Sequence, residues 1–330
     1  MLNRRPMKIS LAIPFAKYQA AGNDFIVIDL FAALEPFDQS PGAQSLRGNE
    51  FRAVDVSLIA RRICDRHAGV GADGLLMVFP SHNKCEARML VFNADGGRAE
   101  MSGNGIRCAA AYLLDNARRR LESELKDKAA QKVLRLRELR IETDAGVKSL
   151  DVVKAEKNSW VFRVSMGEPI LEAKKIPFSA RGVSSPVVNF PLPLQHGIVN
   201  VTVTSMGNPH CTLFVADFEA LDSSELGREI ENSELFPNRT NVEFVRVISR
   251  KEIEVRFWER GVGKTQSSGT GSCAAVVACV LNGRTSRKVQ VRTLAGTLEV
   301  AWPEGKEVTL TGPVELIARG TYYFSNRRDR

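Results

Sequence analysis

Two glycine-rich turns carry the first chemical signal. Ser102-Gly103-Asn104-Gly105 opens the stretch SGNGIRCAAAYL, and Ser268-Gly269-Thr270-Gly271 opens SGTGSCAAVVAC, 166 positions later. Glycine lets a backbone turn sharply and come close to a ligand, and a helix behind each turn presents unpaired N–H groups with a partial positive charge. Each turn therefore reads as a holder for a carboxylate, and each serine as a side chain at a helix start, where negative charge is favoured. One such turn alone would be read as a helix cap with a flexible bend. Here each serine follows a polar residue by nine positions, Asn93 before Ser102 and Glu259 before Ser268, and a second echo (AGNDF around Asn23, MGNPH around Asn208) runs in the same order. That points to a duplicated domain. Halves facing one another across a pseudo-twofold axis would bring the two serines to one cleft from opposite sides. Such a site can take a proton from one face of a carbon and return one to the other.

His210, one of four histidines, lies two residues after Asn208 in the repeated motif and is placed in the catalytic site. Glu259-Arg260 ends a strand just before the second turn. Arg260 suits a bidentate carboxylate contact, and Glu259 suits proton handling or an ammonium contact. Two tempting motifs fail on context. Gly69 to Gly74 spells G-x-G-x-x-G but follows a helix and precedes a strand, the reverse of the dinucleotide-binding order. Gly263-Lys264-Thr265 looks like the end of a phosphate loop, but Trp258 stands where the earlier glycine is required.

The elements that must hold these residues are mostly strands. Runs rich in β-branched residues predict strands at Phe25–Leu30, Leu75–Phe79, Ala87–Phe92, Trp160–Ser165, Val199–Val203, Thr212–Val215, Val242–Val247, Ile253–Trp258, Val289–Thr293 and Val308–Thr311. Helices are expected at Val56–Arg66, Gly105–Asp115 and Ser272–Asn282, with a shorter one at Asp222–Glu231. Because helices do not alternate with strands, the class is α+β. Ala32–Asn49 and Lys174–Pro193, the latter with four prolines, read as surface loops. The boundary is placed near Val147, giving 1–147 plus 314–330 as the N-terminal unit and 148–313 as the C-terminal one.

The chain has 330 residues, 44% of them apolar and 25% charged, the balance of a globular protein able to bury a proper core. Lys8 and Pro14 interrupt the apolar patch near the start, and no run of eighteen apolar residues occurs, so a cytoplasmic protein without signal peptide or membrane span is expected. The six cysteines form no CxxC pair, which argues for reduced thiols and against a structural zinc site. Much of the +8 net charge sits in Arg118–Arg140, where Glu and Lys interleave at helical spacing with recurring leucines. This reads as a solvated amphipathic helix and not as a nucleic-acid surface.

GNDFIVID, CDRHAGVGADGLL, FNADGGRAEMSGNGIRCAA, MGNPHC, NVEFV and ERGVGKTQSSGTGSCAA occur in the order of the diaminopimelate epimerase family, which the chain closely resembles. The resemblance implies two pseudo-symmetric domains, each a β-barrel-like sheet around a central helix. It also implies interconversion of LL- and meso-diaminopimelate in lysine biosynthesis, with no cofactor and no metal. Carried over motif by motif, Asn23, Asn93, Asn208 and Asn241 would hydrogen-bond substrate. Gly103-Asn104 and Gly269-Thr270 would hold carboxylates, Glu259-Arg260 would bind substrate, and His210 with Glu259 would tune the two catalytic groups. The family uses a cysteine at each of those two positions, and this chain has Ser102 and Ser268. Lys264 also stands where the family has Glu. A serine hydroxyl is a far weaker acid than a thiol, and Cys108 and Cys273 lie a turn or more into their helices, roughly 7 to 9 Å from the serines. Four chemistries therefore stay open: serine-based epimerisation, a related isomerase or dehydratase using His210 or Glu259 as base, a silent amino-acid binder, and a serine hydrolase with His210. The expected partners are a small amino-acid substrate and a second copy in a homodimer; nucleic acid and membrane are not expected.

Overall fold

In the computed structural model, residues 10–30, 55–81, 83–124, 126–195, 197–220 and 222–325 are described. The expected loop Ala32–Asn49 lies outside them. The first half of the chain runs β1 (Ser10–Ala20), β2 (Asn23–Asp29), α1 (Val56–Ile63), β3 (Gly74–Phe79), β4 (Ala87–Asn93), β5 (Arg98–Ala99), α2 (Gly103–Ser123), α3 (Lys128–Arg135), β6 (Glu138–Thr143), β7 (Gly146–Ala155) and β8 (Ser159–Gly167). After β9 (Val187–Leu194) the second runs β10 (Gly197–Ser205), β11 (Pro209–Phe214), α4 (Ser223–Glu231), β12 (Asn241–Ser249), β13 (Glu252–Glu259), β14 (Gly263–Thr265), α5 (Gly269–Leu281), β15 (Lys288–Thr293), β16 (Gly296–Ala301) and β17 (Val308–Ser325).

The strand pairings repeat. The antiparallel β1–β2, parallel β2–β3, antiparallel β3–β4 and β4–β5, parallel β4–β6 and antiparallel β6–β7 and β7–β8 ladders recur as β10–β11, β11–β12, β12–β13, β13–β14, β13–β15, β15–β16 and β16–β17. The duplicated α+β architecture expected from the echoes is what the chain adopts. The halves are sewn together by exchanged strands. β8 pairs with the first part of β17, and the rest of β17 pairs with β1. Val147 is the second residue of β7, in a hairpin whose strands pair on to β8, so the ladder runs through that position.

Each half wraps its strands around one helix. α2 packs against β1, β2, β3, β4, β6, β8 and β17, and α5 against β10, β11, β12, β13, β15, β16 and β17. The small residues Cys108–Ala111 and Ala274–Ala278 are fully buried on these helices. A helix enclosed by sheet must be apolar or small nearly all round, which is what the AAA and CAAVVA runs supply. α1 and α4 cover the outer faces over separate apolar clusters, around Ile59 and Ile63 and around Ile230 and Phe236.

Two expectations need correction. Arg118–Arg140 is not one helix: α2 stops at Ser123, Asp127 caps a short α3 by accepting from Ala130 N at 2.9 Å, and β6 begins at Glu138. The period changes to two there, with Leu139, Ile141 and Thr143 turned inward. Lys174–Pro193 is not all loop, since β9 includes Pro191 and Pro193 and pairs with β10. Proline is tolerated on such an edge strand because its missing N–H faces no partner. β1, β5, β6, β7, β14 and β16 are further strands that the sequence reading did not list. No helix among the described residues is long and apolar enough to cross a membrane.

Candidate active site

Both serines cap the helices that follow them. Ser102 (φ −133°, ψ 123°) accepts from Gly105 N at 3.0 Å, and Ser268 (φ −135°, ψ 127°) accepts from Gly271 N at 3.3 Å. The matched dihedrals make the two turns structural copies. They also meet: a Cβ built on Gly103 would lie 3.7 Å from the Gly269 Cα, and one built on Gly269 would lie 3.5 Å from the Gly103 Cα. The starts of α2 and α5 therefore abut at Gly103 and Gly269. Two sets of unpaired N–H groups and two positive helix ends thus converge on one region.

In the first half a polar chain leads to this junction. Asp24 pairs with Lys17 at 2.9 Å and Arg66 at 2.8 Å, and accepts from Asp73 N at 2.9 Å. Burial opposes ionisation of Asp24, yet Arg66 and Lys17 hold its carboxyl below the usual carboxylate range. Asp73 in turn accepts from Asn23 Nδ2 at 2.7 Å, and Asn23 Oδ1 accepts a long bond from Asn104 Nδ2 at 3.5 Å. Asn104 Oδ1 takes a 2.8 Å bond from Arg107, a fully buried guanidinium whose Nε and Nη1 have no protein partner. Asn93 is exposed at the end of β4, opposite Gly74.

The second half differs in its charges. Glu259, at the end of β13, accepts from Ser268 Oγ at 3.2 Å. Burial pushes its carboxyl above the usual range, against the Ser268 bond and the nearby His210, with Glu243 adding to the rise. His210 is fully buried, its Nδ1 2.7 Å from Glu243 Oε1 and its Nε2 2.9 Å from Asn208 Oδ1. Its route to the cleft therefore runs through Asn208, which is half-buried. Asn241 is 5% exposed, and its carboxamide bridges two backbone groups, donating to Pro209 O at 2.9 Å and accepting from Arg260 N at 3.0 Å. It latches the Glu259–Arg260 corner in place. The Arg260 guanidinium is exposed and donates to Asn238 O at 2.9 Å, and Thr270 is half-buried at the start of α5. Glu231 of α4 fixes the same corner from below, accepting from Trp258 Nε1 at 2.7 Å and Gly261 N at 2.9 Å.

The remaining thiols are out of reach. Cys108 and Cys273 are fully buried, and burial pushes both up to about 12. A neutral thiol inside a helix core is neither base nor nucleophile. Glu231 and Glu243 were missed by sequence reasoning. Glu243 had a readable signal: it is the one acid in the apolar run Asn241–Val245, and a carboxylate there must be partnered.

The fold and site together define a duplicated scaffold in which two serine-capped helix starts abut. The diaminopimelate epimerase family model matches residues 15–172 and 202–317. The chain is 41% identical over 308 residues to a diaminopimelate epimerase of Pelotomaculum thermopropionicum, covering 93% of this chain and 98% of that one. It is also 41% identical over 304 residues to that of Desulfitobacterium hafniense, covering 92% and 96%. A crystal structure of a hydroxyproline epimerase from Agrobacterium vitis superposes with TM-score 0.62 over 96% of this chain and 94% of that one, at 13% identity, and so shares the fold. The chain belongs to the diaminopimelate epimerase family, and it is an isomerase of the epimerase type.

Proposed function

We propose that the chain interconverts LL- and meso-diaminopimelate in the cytoplasm, without cofactor or metal, using Ser102 and Ser268 on opposite faces of the α-carbon. The observation that supports this reading is the abutment of Gly103 on Gly269, which brings two equally capped helix starts together. Anchored there, the substrate α-carboxylate takes the N–H groups of both turns, and the charge that develops on it as the α-proton leaves is held in the same place. On one face the Ser268 oxygen takes the Cα proton while its own proton passes to Glu259 Oε2, 3.2 Å away. On the other face Ser102 gives its hydroxyl proton to the carbon, and the Gly105 N–H and the start of α2 hold the oxygen's charge until solvent reprotonates it. A carboxylate held above its usual range is a stronger base than an ordinary one, which offsets part of what is lost with the thiolate. Asn23, Asn104 and Asn208 supply the polar contacts around the substrate, with Asn93 and Arg260 at the exposed rim.

Incubation with LL-diaminopimelate and chiral chromatography of the products tests this. The meso isomer should accumulate, and Ser102→Ala or Ser268→Ala should abolish it; turnover that survives both replacements would remove the serines from the chemistry. One observation favours a second reading. Among the described residues only Ser268, of the two serines, has a carboxylate partner, Asn93 standing where Glu259 stands in the other half, so a one-base isomerisation that works on a single face also fits. It predicts exchange of the α-proton with retention and no meso product.

A further inference from the structure

The internal repeat acts as its own control experiment. The parallel register sets Phe25 opposite Gly74 in the first half and His210 opposite Asn241 in the second, so His210 occupies the place of Phe25 and Glu243 that of Leu76. The turns confirm the match: a Cβ on Gly105 would meet Leu76 Cδ2 at 3.2 Å, and one on Gly271 would meet Glu243 Oε1 at 3.0 Å. Beneath one serine turn the scaffold is apolar, and beneath the other it carries an acid and an imidazole, both at most 1% exposed. A buried ion pair costs more desolvation than a well-packed apolar pair of similar size, and the first half shows that the apolar pair builds the same turn. The turn itself is built in the first half by Phe25 and Leu76, with no ion pair in those places.

The pair has a consequence at the cleft. Asn23 and Asn208 are the repeated asparagines, each after a positive-φ glycine, Gly22 and Gly207. Asn23 donates from Nδ2 to Asp73 at 2.7 Å, so its acceptor Oδ1, which takes only the long 3.5 Å bond from Asn104 Nδ2, is the end turned away from Asp73. Asn208 points Oδ1 at His210 Nε2, leaving its amide hydrogens as the free end. Both nitrogens of His210 face oxygen, a pattern that a doubly protonated ring satisfies by donating to Glu243 on one side and Asn208 on the other. We propose that Glu243 is a positioning residue that holds His210 as the cation and thereby locks Asn208 with its amide hydrogens toward the cleft. The symmetric site is polarised by this device: the Asn23 side presents an acceptor suited to a substrate ammonium, and the Asn208 side presents a donor suited to a substrate carboxylate. Thr212 Oγ1, donating to Glu243 Oε2 at 3.3 Å, holds the acid in place. With Glu243 neutral, His210 would carry one proton, shared with residue 243, and its bare Nε2 would turn the Asn208 amide around, setting an acceptor against the carboxylate.

The inference rests on the reading of Asn23 and Asn208 as substrate contacts, and its test has an arm that needs no substrate. In long-range ¹H–¹⁵N spectra of the free protein, the His210 signals, assigned by their loss in His210→Phe, should show both ring nitrogens protonated in the native protein and one in Glu243→Gln. A singly protonated native ring overturns the proposal. In kinetics with LL-diaminopimelate, Glu243→Gln should raise KM about 10- to 100-fold with a much smaller change in kcat, and Glu243→Asp should recover part of it. An unchanged KM overturns the proposal. His210→Phe combined with Glu243→Leu, which copies the first half, should fold with a Tm at or above the native value and lose the same affinity; failure of this variant to fold would make the pair structural and overturn the proposal. Native protein that neither binds nor turns over diaminopimelate would refute the substrate reading, while the ring spectra still decide the role of Glu243.

Discussion

Restoring a thiol at both serine positions should raise the epimerisation rate by about 10²- to 10⁴-fold, the range that a well-matched acid/base pair contributes. The magnitude follows from the caps. An ordinary thiol titrates near 8.5, and a helix start stabilises an anion by roughly 0.3–1 kcal/mol, or up to about 0.7 pH units. A cysteine at 268, beside Gly271 N, would therefore titrate close to 8, with Glu259 opposing part of that gain. A substantial fraction is then thiolate at pH 8, whereas a serine hydroxyl at the same cap offers almost no anion. The assay is the initial rate of LL to meso conversion for the native protein, Ser102→Cys, Ser268→Cys and the double variant, each checked for an unchanged Tm. The double variant should be fastest and should become sensitive to iodoacetamide. A folded double variant with no rate gain would refute the placement of the two serines on the reacting carbon.

Other outcomes follow from the same geometry. Glu259→Gln should abolish proton exchange, and in the native protein kcat/KM should rise with pH through a value above the ordinary glutamate range, because burial lifts that carboxyl and the base acts only when ionised; a profile flat from pH 5 to 8 would contradict this. Asp24, whose carboxyl Arg66 and Lys17 hold low despite burial, stabilises the fold above its unfolded pKa and loses that contribution as pH falls through its lower folded value. Asp24→Asn should thus lower Tm at pH 7 and flatten the acid limb of Tm against pH, as read by calorimetry. Gly312→Ala should destabilise by about 1–3 kcal/mol in urea, since its Cβ would lie 2.6 Å from Leu298 Cδ2 and 3.1 Å from the Arg107 Cζ. Of the six cysteines, Cys85 alone should react quickly with a thiol reagent in the native state, because the other five are buried; fast labelling of Cys108 or Cys273, followed by peptide mapping, would contradict the packing of α2 and α5.

Much of the site was legible because its signals are local. A serine, two glycines and a run of small residues dictate a capped helix, and the repetition of that pattern revealed the duplication. What was missed depends on distant partners. β9 hid behind its prolines, since only its place at an edge makes them acceptable. The charged stretch after Ser123 looked continuous because Glu and Lys suit a helix surface, while the strand periodicity of β6 occupies only Glu138–Thr143. Glu243 read as one residue of a strand until the parallel register placed Thr212 opposite it and His210 two residues before. Asn241 was expected at the substrate through the family motif NVEFV, and its carboxamide bridges the backbone of Pro209 and Arg260.

The central claim, proton transfer between opposite faces of one carbon, is tested most directly in D₂O. With LL-diaminopimelate and the native protein, early in the reaction, NMR should find deuterium at Cα of the inverted meso product and almost none in the remaining LL substrate. Deuterium appearing in unreacted LL-diaminopimelate without meso product would contradict the two-sided site and leave Glu259 with Ser268 acting alone.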